Sequence, residues 1–223
     1  MNTELQITND GSHTLYAPEI DETYHSTHGA IQESTHIFIN AGLKQCKRQC
    51  ANILEIGFGT GLNAFLTAIE AEKSGREIQY FTLEKYPVPF EKTLQLNYSH
   101  QIPIKDSDSL FDKIHKAEWE TEVQISTRFM LNKIQFDFTA YQPDKTFDMV
   151  YFDAFSPEKQ PEMWTQEQFQ KIYNACNEGA ILTTYCAKGS VRRALQAVGF
   201  KVERLAGPPG KREILRGIKP FKR

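Results

Sequence analysis

Residues 53–68 read ILEIGFGTGLNAFLTA, an apolar run that turns through Gly57, Gly59 and Gly61 into a helix-like stretch. This segment restricts the fold more than any other. A buried strand followed at once by a helix belongs to an alternating α/β chain, and closely spaced glycines at the turn let a ligand approach bare backbone. Which ligand follows from the spacing. A dinucleotide turn reads G-x-G-x-x-G, with its third glycine three residues after the second, whereas here the glycines are spaced two and two. No Lys-Ser/Thr pair follows the last glycine, so a phosphate loop is excluded. Glu55, just ahead of the first glycine, would repel a pyrophosphate and suits a cationic ligand.

From residue 52 onward the pattern is regular. Strand-like runs at 53–56, 78–83, 133–138, 147–152 and 180–184 alternate with helix-like stretches at 62–74, 88–98, 108–117, 166–177 and 191–198. That alternation predicts a mostly parallel, doubly wound sheet. Thr165 with Gln168 has the pattern of a capping box, and Ser190 precedes a helix that Gly199 is placed to end. The run 121–138 is long for one strand and fits a hairpin. At the C-terminus FKVERL and REILRGI flank the Gly/Pro loop AGPPGK, which predicts an antiparallel pair closing the sheet. The first 50 residues are polar and irregular, and residues 23–43 (TYHSTHGAIQESTHIFINAGL) read as a flap packed on the main domain. His25 and His28 stand there among Ser and Thr and read as solvated loop residues.

Four strand ends carry acids: Glu55, Glu84 in FTLEKYP, Asp137 in QFDF and Asp153 in YFDAFSP. Each alone could cap a helix or face solvent. Four in succession line the crevice where open α/β sheets bind ligands. Glu84 is placed to take both ribose hydroxyls, and Asp137, between Phe136 and Phe138, to accept from an adenine amino group. A cationic adenosyl compound is S-adenosylmethionine, so the pattern is that of a methyltransferase using it.

Charge is segregated. Residues 188–223 hold eleven Lys/Arg against Glu203 and Glu213, a balance of +9, leaving 15 basic and 26 acidic residues, or −11, in the first 187. A basic face of this kind points to a polyanion, with nucleic acid the first candidate, against the alternative of a solvated tail. The spacing of Cys46, Cys50, Cys176 and Cys186 lacks a zinc pattern, so no metal is expected. No run approaches the roughly 20 apolar residues of a membrane span and the N-terminus lacks a secretory leader, so a cytoplasmic protein is expected.

The pieces YHSTHGAIQESTHIFINAGL, LEIGFGTGLN, FTLEKYP, FDMVYFDAFSPEKQPEMWT, SVRRALQAVGF and GKREILRG, in this order, cover most of residues 24–217. Together they resemble the methyltransferase domain of the tRNA 5-methylaminomethyl-2-thiouridine biosynthesis protein family. The resemblance implies a Rossmann-like class I S-adenosylmethionine-dependent methyltransferase fold over 51–223, with 1–50 as an N-terminal flap. It implies methyl transfer to the amine of 5-aminomethyl-(2-thio)uridine at the tRNA wobble position, with the anticodon stem-loop as partner. The flavin-dependent oxidase fused to this domain in many relatives has no second glycine fingerprint here, so an aminomethyl substrate made elsewhere is expected.

Carried over by motif, Gly57, Phe58, Gly59, Thr60, Gly61 and Asn63 surround the methionine part. Glu84 and Lys85 fall to the ribose end, and Asp137 and Phe138 to the adenine. Asp153 faces the target amine as an orienting acceptor, with proton loss to water, while Phe155 and Pro157 shape the slot for a flipped base. Tyr24 and Glu33 of the flap close the cofactor site. Lys188, Arg192, Arg193, Lys211 and Arg212 are the candidate phosphate contacts. Trp164 reads as a packing residue. The competing reading is an N-methyltransferase for a small amine or a protein side chain, which would show no tRNA affinity and no salt sensitivity.

Overall fold

Eight strands form the central sheet: β4 (Cys50–Ile56), β5 (Glu77–Leu83), β6 (Glu122–Ser126), β7 (Phe129–Ile134), β8 (Phe147–Phe152), β9 (Cys176–Thr184), β10 (Lys201–Ala206) and β11 (Glu213–Ile218). The computed structural model describes residues 2–222. The order is β10-β11-β9-β8-β4-β5-β7-β6. Strands β4, β5, β7, β8 and β9 run parallel, while β6 pairs antiparallel with β7 and β11 antiparallel with β9 and β10. The 121–138 run is indeed a hairpin. The C-terminal antiparallel pair closes the sheet as expected: β10 forms its edge and β11 inserts between β9 and β10, where Ile214 and Leu215 are fully buried.

Before the sheet, β1 (Glu4–Ile7), β2 (His13–Ala17) and β3 (Glu22–Thr23) make a small antiparallel sheet. The β1–β2 turn is built on Asn9-Asp10-Gly11: Gly11 has φ +81°, and Asp10 accepts from Thr8 Oγ1 at 2.8 Å and from Ser12 N at 3.0 Å. Then follow α1 (Ala30–Ser34), a π-helical turn over Thr35–Asn40 and a short 3-10 turn over Leu43–Gln45. The remaining helices are α2 (Leu62–Ser74), α3 (Phe90–Thr93), α4 (Tyr98–Gln101), α5 (Ser107–Lys116), α6 (Gln166–Ala175) and α7 (Gly189–Ala197).

Two apolar layers sandwich the sheet. Alternation along β4 sends Ile53 into the layer under α2 and α5, and Leu54 and Ile56 into the layer under α6 and α7. Leu15, Ile37 and Phe38 of the N-terminal segment belong to the first layer, so that segment packs as part of the core. Burial of each such side chain contributes roughly 1.5–3 kcal/mol.

Two elements differ from expectation. The helix over 88–98 is one turn, α3, because Pro87 and Pro89 hold the chain extended and Asn97 is diverted: its side chain accepts from His13 N at 2.8 Å and donates to Gly11 O at 2.9 Å. The strand over 133–138 ends at Ile134, since Gln135 N donates to Glu120 Oε1 at 2.7 Å and Phe136 N to Glu84 O at 3.1 Å. At α6 the Thr165 hydroxyl accepts from Gln168 N at 3.3 Å, but Gln168 Nε2 donates to Thr139 O instead of closing the box. Helix α7 begins at Gly189 with no side-chain cap from Ser190. Among the described residues no helix is long and apolar enough to cross a membrane.

Candidate active site

A cleft of about 650 Å³ opens over the C-terminal ends of β4, β5 and β8, walled on the far side by residues 19–20 and 22–26 and by Glu33. Seven carboxylates and three lysines line it, so its own charge favours a cation.

The glycine turn forms one edge. Gly57, Gly59 and Gly61 have φ of +95°, +51° and +74°. A Cβ on Gly57 would lie 2.6 Å from Asp153 O, and one on Gly59 would lie 2.9 Å from the Tyr24 ring. The turn thus meets both the β8 tip and the flap. Gly57, Phe58, Gly59 and Thr60 line the cleft. Gly61 lies behind it against the half-buried His115 ring, and Phe58 packs against His115 and Trp119. The Thr60 hydroxyl is engaged by His25 Nε2 at 2.6 Å and Tyr98 OH at 3.3 Å. His25 is therefore a buried wall residue and not the solvated one expected, and burial pushes its pKa down to about 4.

Glu84 Oε2 accepts from Gly59 N at 3.0 Å and Oε1 from Tyr86 N at 2.9 Å, binding the β5 tip to the turn. Burial raises its pKa against those donors. Asp137 Oδ2 pairs with Lys85 Nζ at 2.8 Å and Oδ1 accepts from Thr139 Oγ1 at 2.7 Å, contacts that hold its carboxyl down to about 2. Asp137, Lys85 and Phe138 share the same end of the cleft.

Glu55 does not reach the cleft. Alternation along β4 points it into the core with no exposure, where its Oε2 accepts from Thr82 Oγ1 at 2.7 Å and burial raises its pKa to about 8. Largely neutral at pH 7, it cannot supply the attraction expected of it. Asn63 is buried on the first turn of α2 and donates from Nδ2 to Asp153 Oδ2 at 2.8 Å. Asp153 lines the cleft, and burial raises its pKa to about 7 despite that bond. Phe155 lines the cleft beside it and meets the Tyr24 ring edge-on at 5.1 Å. Trp164 is core, its Nε1 donating to Phe155 O at 2.8 Å.

The cationic residues divide. Lys211 turns inward to Glu33 Oε2 at 3.1 Å. Pro157, Lys188 and Arg212 line a groove of 320 Å³ that shares Tyr185 and Lys211 with the cleft, and Lys188 pairs with Glu158. Arg192 and Arg193 line neither, because α7 carries them away from both. Further along, Arg216 pairs with Glu203 at 2.8 Å and Arg204 with Glu213 at 3.6 Å. Clustering in sequence is therefore only partly clustering in space. Two wall residues were missed. Glu22 accepts from Ser156 N at 3.1 Å and Oγ at 2.9 Å, and Tyr185 donates from its hydroxyl to Ala154 O at 2.9 Å. Tyr185 directly follows β9, so the strand-end rule that singled out Glu84 extends to it.

A parallel sheet with an inserted antiparallel strand, a glycine turn after its central strand and acids at the neighbouring tips define a nucleotide-fold transferase. Residues 82–220 match the family described as S-adenosyl-L-methionine-dependent methyltransferase, and the chain belongs to that family. It is 32% identical to the tRNA 5-methylaminomethyl-2-thiouridine biosynthesis bifunctional protein MnmC of Cupriavidus metallidurans, over 93% of this chain and 32% of that protein. With the protein of the same name from Marinomonas sp. the identity is 27%, over 91% of this chain and 32% of the relative. The chain thus spans about a third of the length of these curated relatives. The crystal structure of MNMC2 from Aquifex aeolicus superposes with a TM-score of 0.75 at 25% identity, covering 99% of this chain and 73% of that one. Spermidine synthase from Thermotoga maritima, at 13% identity and TM-score 0.59, covering 98% of this chain and 72% of its own, shares the fold. The residues fit the family's cofactor: Gly57 and Gly59 bring bare backbone to the cleft, Glu84 and Asp137 add carboxylates to its lining, and that lining is acidic, as a sulfonium requires.

Proposed function

We propose that this chain methylates the amine of 5-aminomethyl-(2-thio)uridine at the tRNA wobble position, giving 5-methylaminomethyl-(2-thio)uridine. The observation that carries the reading is Asp153, a carboxylate with a pKa raised to about 7 at the tip of β8, at the inner end of an acid-lined cleft. Support comes from the relatives at about 30% identity, which are tRNA 5-methylaminomethyl-2-thiouridine biosynthesis proteins, and from the cationic groove adjoining the cleft.

S-adenosylmethionine, when bound, supplies the electrophilic methyl group. The chain's residues provide the rest. Gly57 and Gly59 admit the ligand against the backbone, Glu84 and Asp137 hold its nucleoside, and Phe155 with Tyr24 shields the reaction from water. The amine enters largely as an ammonium and must lose a proton before its lone pair can act. An ordinary carboxylate beside it would stabilise the charged form. Burial alters that balance: with its pKa raised to about 7, Asp153 orients the ammonium and also competes for its proton. Lys188 and Arg212 attract the flanking phosphates.

Nucleoside mass spectrometry of tRNA from cells lacking the protein tests the reading. Accumulation of 5-aminomethyluridines in place of the methylated form is the expected result, and an unchanged nucleoside profile would refute it.

A further inference from the structure

Lys211 carries its charge inside the cleft. Its Nζ lies 3.1 Å from Glu33 Oε2 and 4.7 Å from the centre of the Tyr185 ring. Both partners are fixed: Glu33 Oε1 accepts from Ser26 N at 3.3 Å, and Tyr185 is anchored through Ala154 O and packs edge-on against Trp164. A carboxylate beside an aromatic face is the combination that recognises ammonium ions. Lys211 and Tyr185 also line both the cleft and the neighbouring groove, so they form the partition between the two. The backbone of the loop is pinned by Lys211 N to Pro208 O at 2.9 Å and Gly207 N to Arg212 O at 3.1 Å, which leaves the flexible side chain as the part free to swing.

We infer that Glu33 and the Tyr185 ring form the ammonium subsite for the acceptor amine, and that Lys211 fills this subsite as an internal stand-in which the acceptor displaces toward the groove of Lys188 and Arg212. The inference rests on the reading that the acceptor is a primary amine borne on RNA. Two ammonium ions cannot share one carboxylate and one ring face without repulsion. A free amine that expels Lys211 leaves that charge uncompensated. An acceptor on RNA brings phosphates to the groove into which Lys211 moves, so the displaced charge finds a new partner. Lys211 thereby selects amines attached to a polyanion over amines free in solution. Asp153 lines the same cleft as Glu33, Tyr185 and Lys211, so the subsite opens into the space where the acceptor amine is proposed to react.

The test titrates two ligands, with S-adenosylhomocysteine present, into the parent and into Lys211→Met: the free nucleoside 5-aminomethyluridine and an anticodon stem-loop RNA carrying it. The neutral variant is expected to bind the nucleoside about tenfold tighter, or about 1.4 kcal/mol, and the RNA several-fold more weakly. Lys211→Arg should keep the parent's preference, and adding Glu33→Gln to Lys211→Met should erase the gain for the nucleoside. Melting temperatures check folding, with Lys211→Gln as a second neutral replacement. An unchanged or weakened nucleoside affinity in the folded neutral variants would overturn the inference. Failure of the parent to methylate the RNA would instead refute the proposed function, and the subsite is then still judged on nucleoside binding.

Discussion

The side-chain amide of Asn63 donates to Asp153 Oδ2 at 2.8 Å, so the first turn of α2 reaches across to the tip of β8. This bond stabilises the charged form of a carboxyl that burial drives toward neutrality. Removing the donor in Asn63→Ala therefore raises the Asp153 pKa above about 7. Turnover at pH 7 is expected to fall several-fold and to recover as pH rises, because the deprotonated carboxylate is the acting form. Asp153→Asn, which cannot accept the proton, should lose roughly 10²–10⁴ in turnover at every pH with cofactor affinity little changed. A pH–rate profile on the three proteins decides it: superimposable limbs for parent and Asn63→Ala would remove Asp153 from proton transfer.

Glu55 predicts a pH dependence of stability. Its folded pKa of about 8 lies above its unfolded value of 4.5, so the folded state keeps a proton that the unfolded chain releases between those limits. Its contribution to stability is thus complete below the unfolded value and lost as pH rises through about 8. The loss approaches about 1.4 kcal/mol per pH unit within that window. Glu55→Gln, neutral throughout, should gain on the parent in urea melts at pH 8 and show little difference at pH 5. Equal shifts at both pH values would mean that Glu55 folds as an anion.

The glycine turn separates strain from ligand clearance. Gly57→Ala forces a Cβ to 2.6 Å from the backbone oxygen of Asp153 at φ +95°, and neither element can yield cheaply, so a loss of about 1–3 kcal/mol of stability is expected. Gly59→Val meets the Tyr24 ring and the cofactor cradle, and should abolish S-adenosylmethionine binding. Glu84→Ala, which frees Gly59 N, should weaken that binding by about 1–3 kcal/mol with the fold kept. Calorimetry and thermal melting separate these effects, and near-parent cofactor affinity in Gly59→Val would contradict the assignment of the cleft.

The groove cations give a salt signature. Arg212 is exposed and lines the groove, so Arg212→Ala should weaken RNA binding for all sequences and flatten the slope of log K against log salt by about one unit. Lys211→Ala is a less direct probe, because its ammonium is held by Glu33 until the acceptor displaces it. Arg192→Ala and Arg193→Ala, outside the groove, should leave the slope as it is. An unchanged slope in Arg212→Ala would remove the groove from RNA binding.

Much of the site was legible because strand ends are legible. Gly57, Gly59, Glu84, Asp137 and Asp153 follow apolar runs, and the sheet brings consecutive strand ends to one edge. Glu55 misled because it sits inside the strand, where alternation and not proximity to glycine sets its direction. The flap was legible but its contacts were not, because its polar residues join segments far apart in the chain: His25 on Thr60, Glu33 on Lys211 and Glu22 on Ser156. Charge counting found the basic tail, but pairs such as Arg216–Glu203 form only once β10 and β11 are side by side.

Methyl transfer in vitro tests the central claim most directly. The purified chain, S-adenosylmethionine and an anticodon stem-loop carrying 5-aminomethyluridine at the wobble position are incubated, and the digested RNA is examined by mass spectrometry. The account predicts that the wobble nucleoside gains one methyl group on its amine and that Asp153→Asn largely abolishes the product. An RNA that remains unmodified, while a protein or small-molecule amine is methylated under the same conditions, would contradict it.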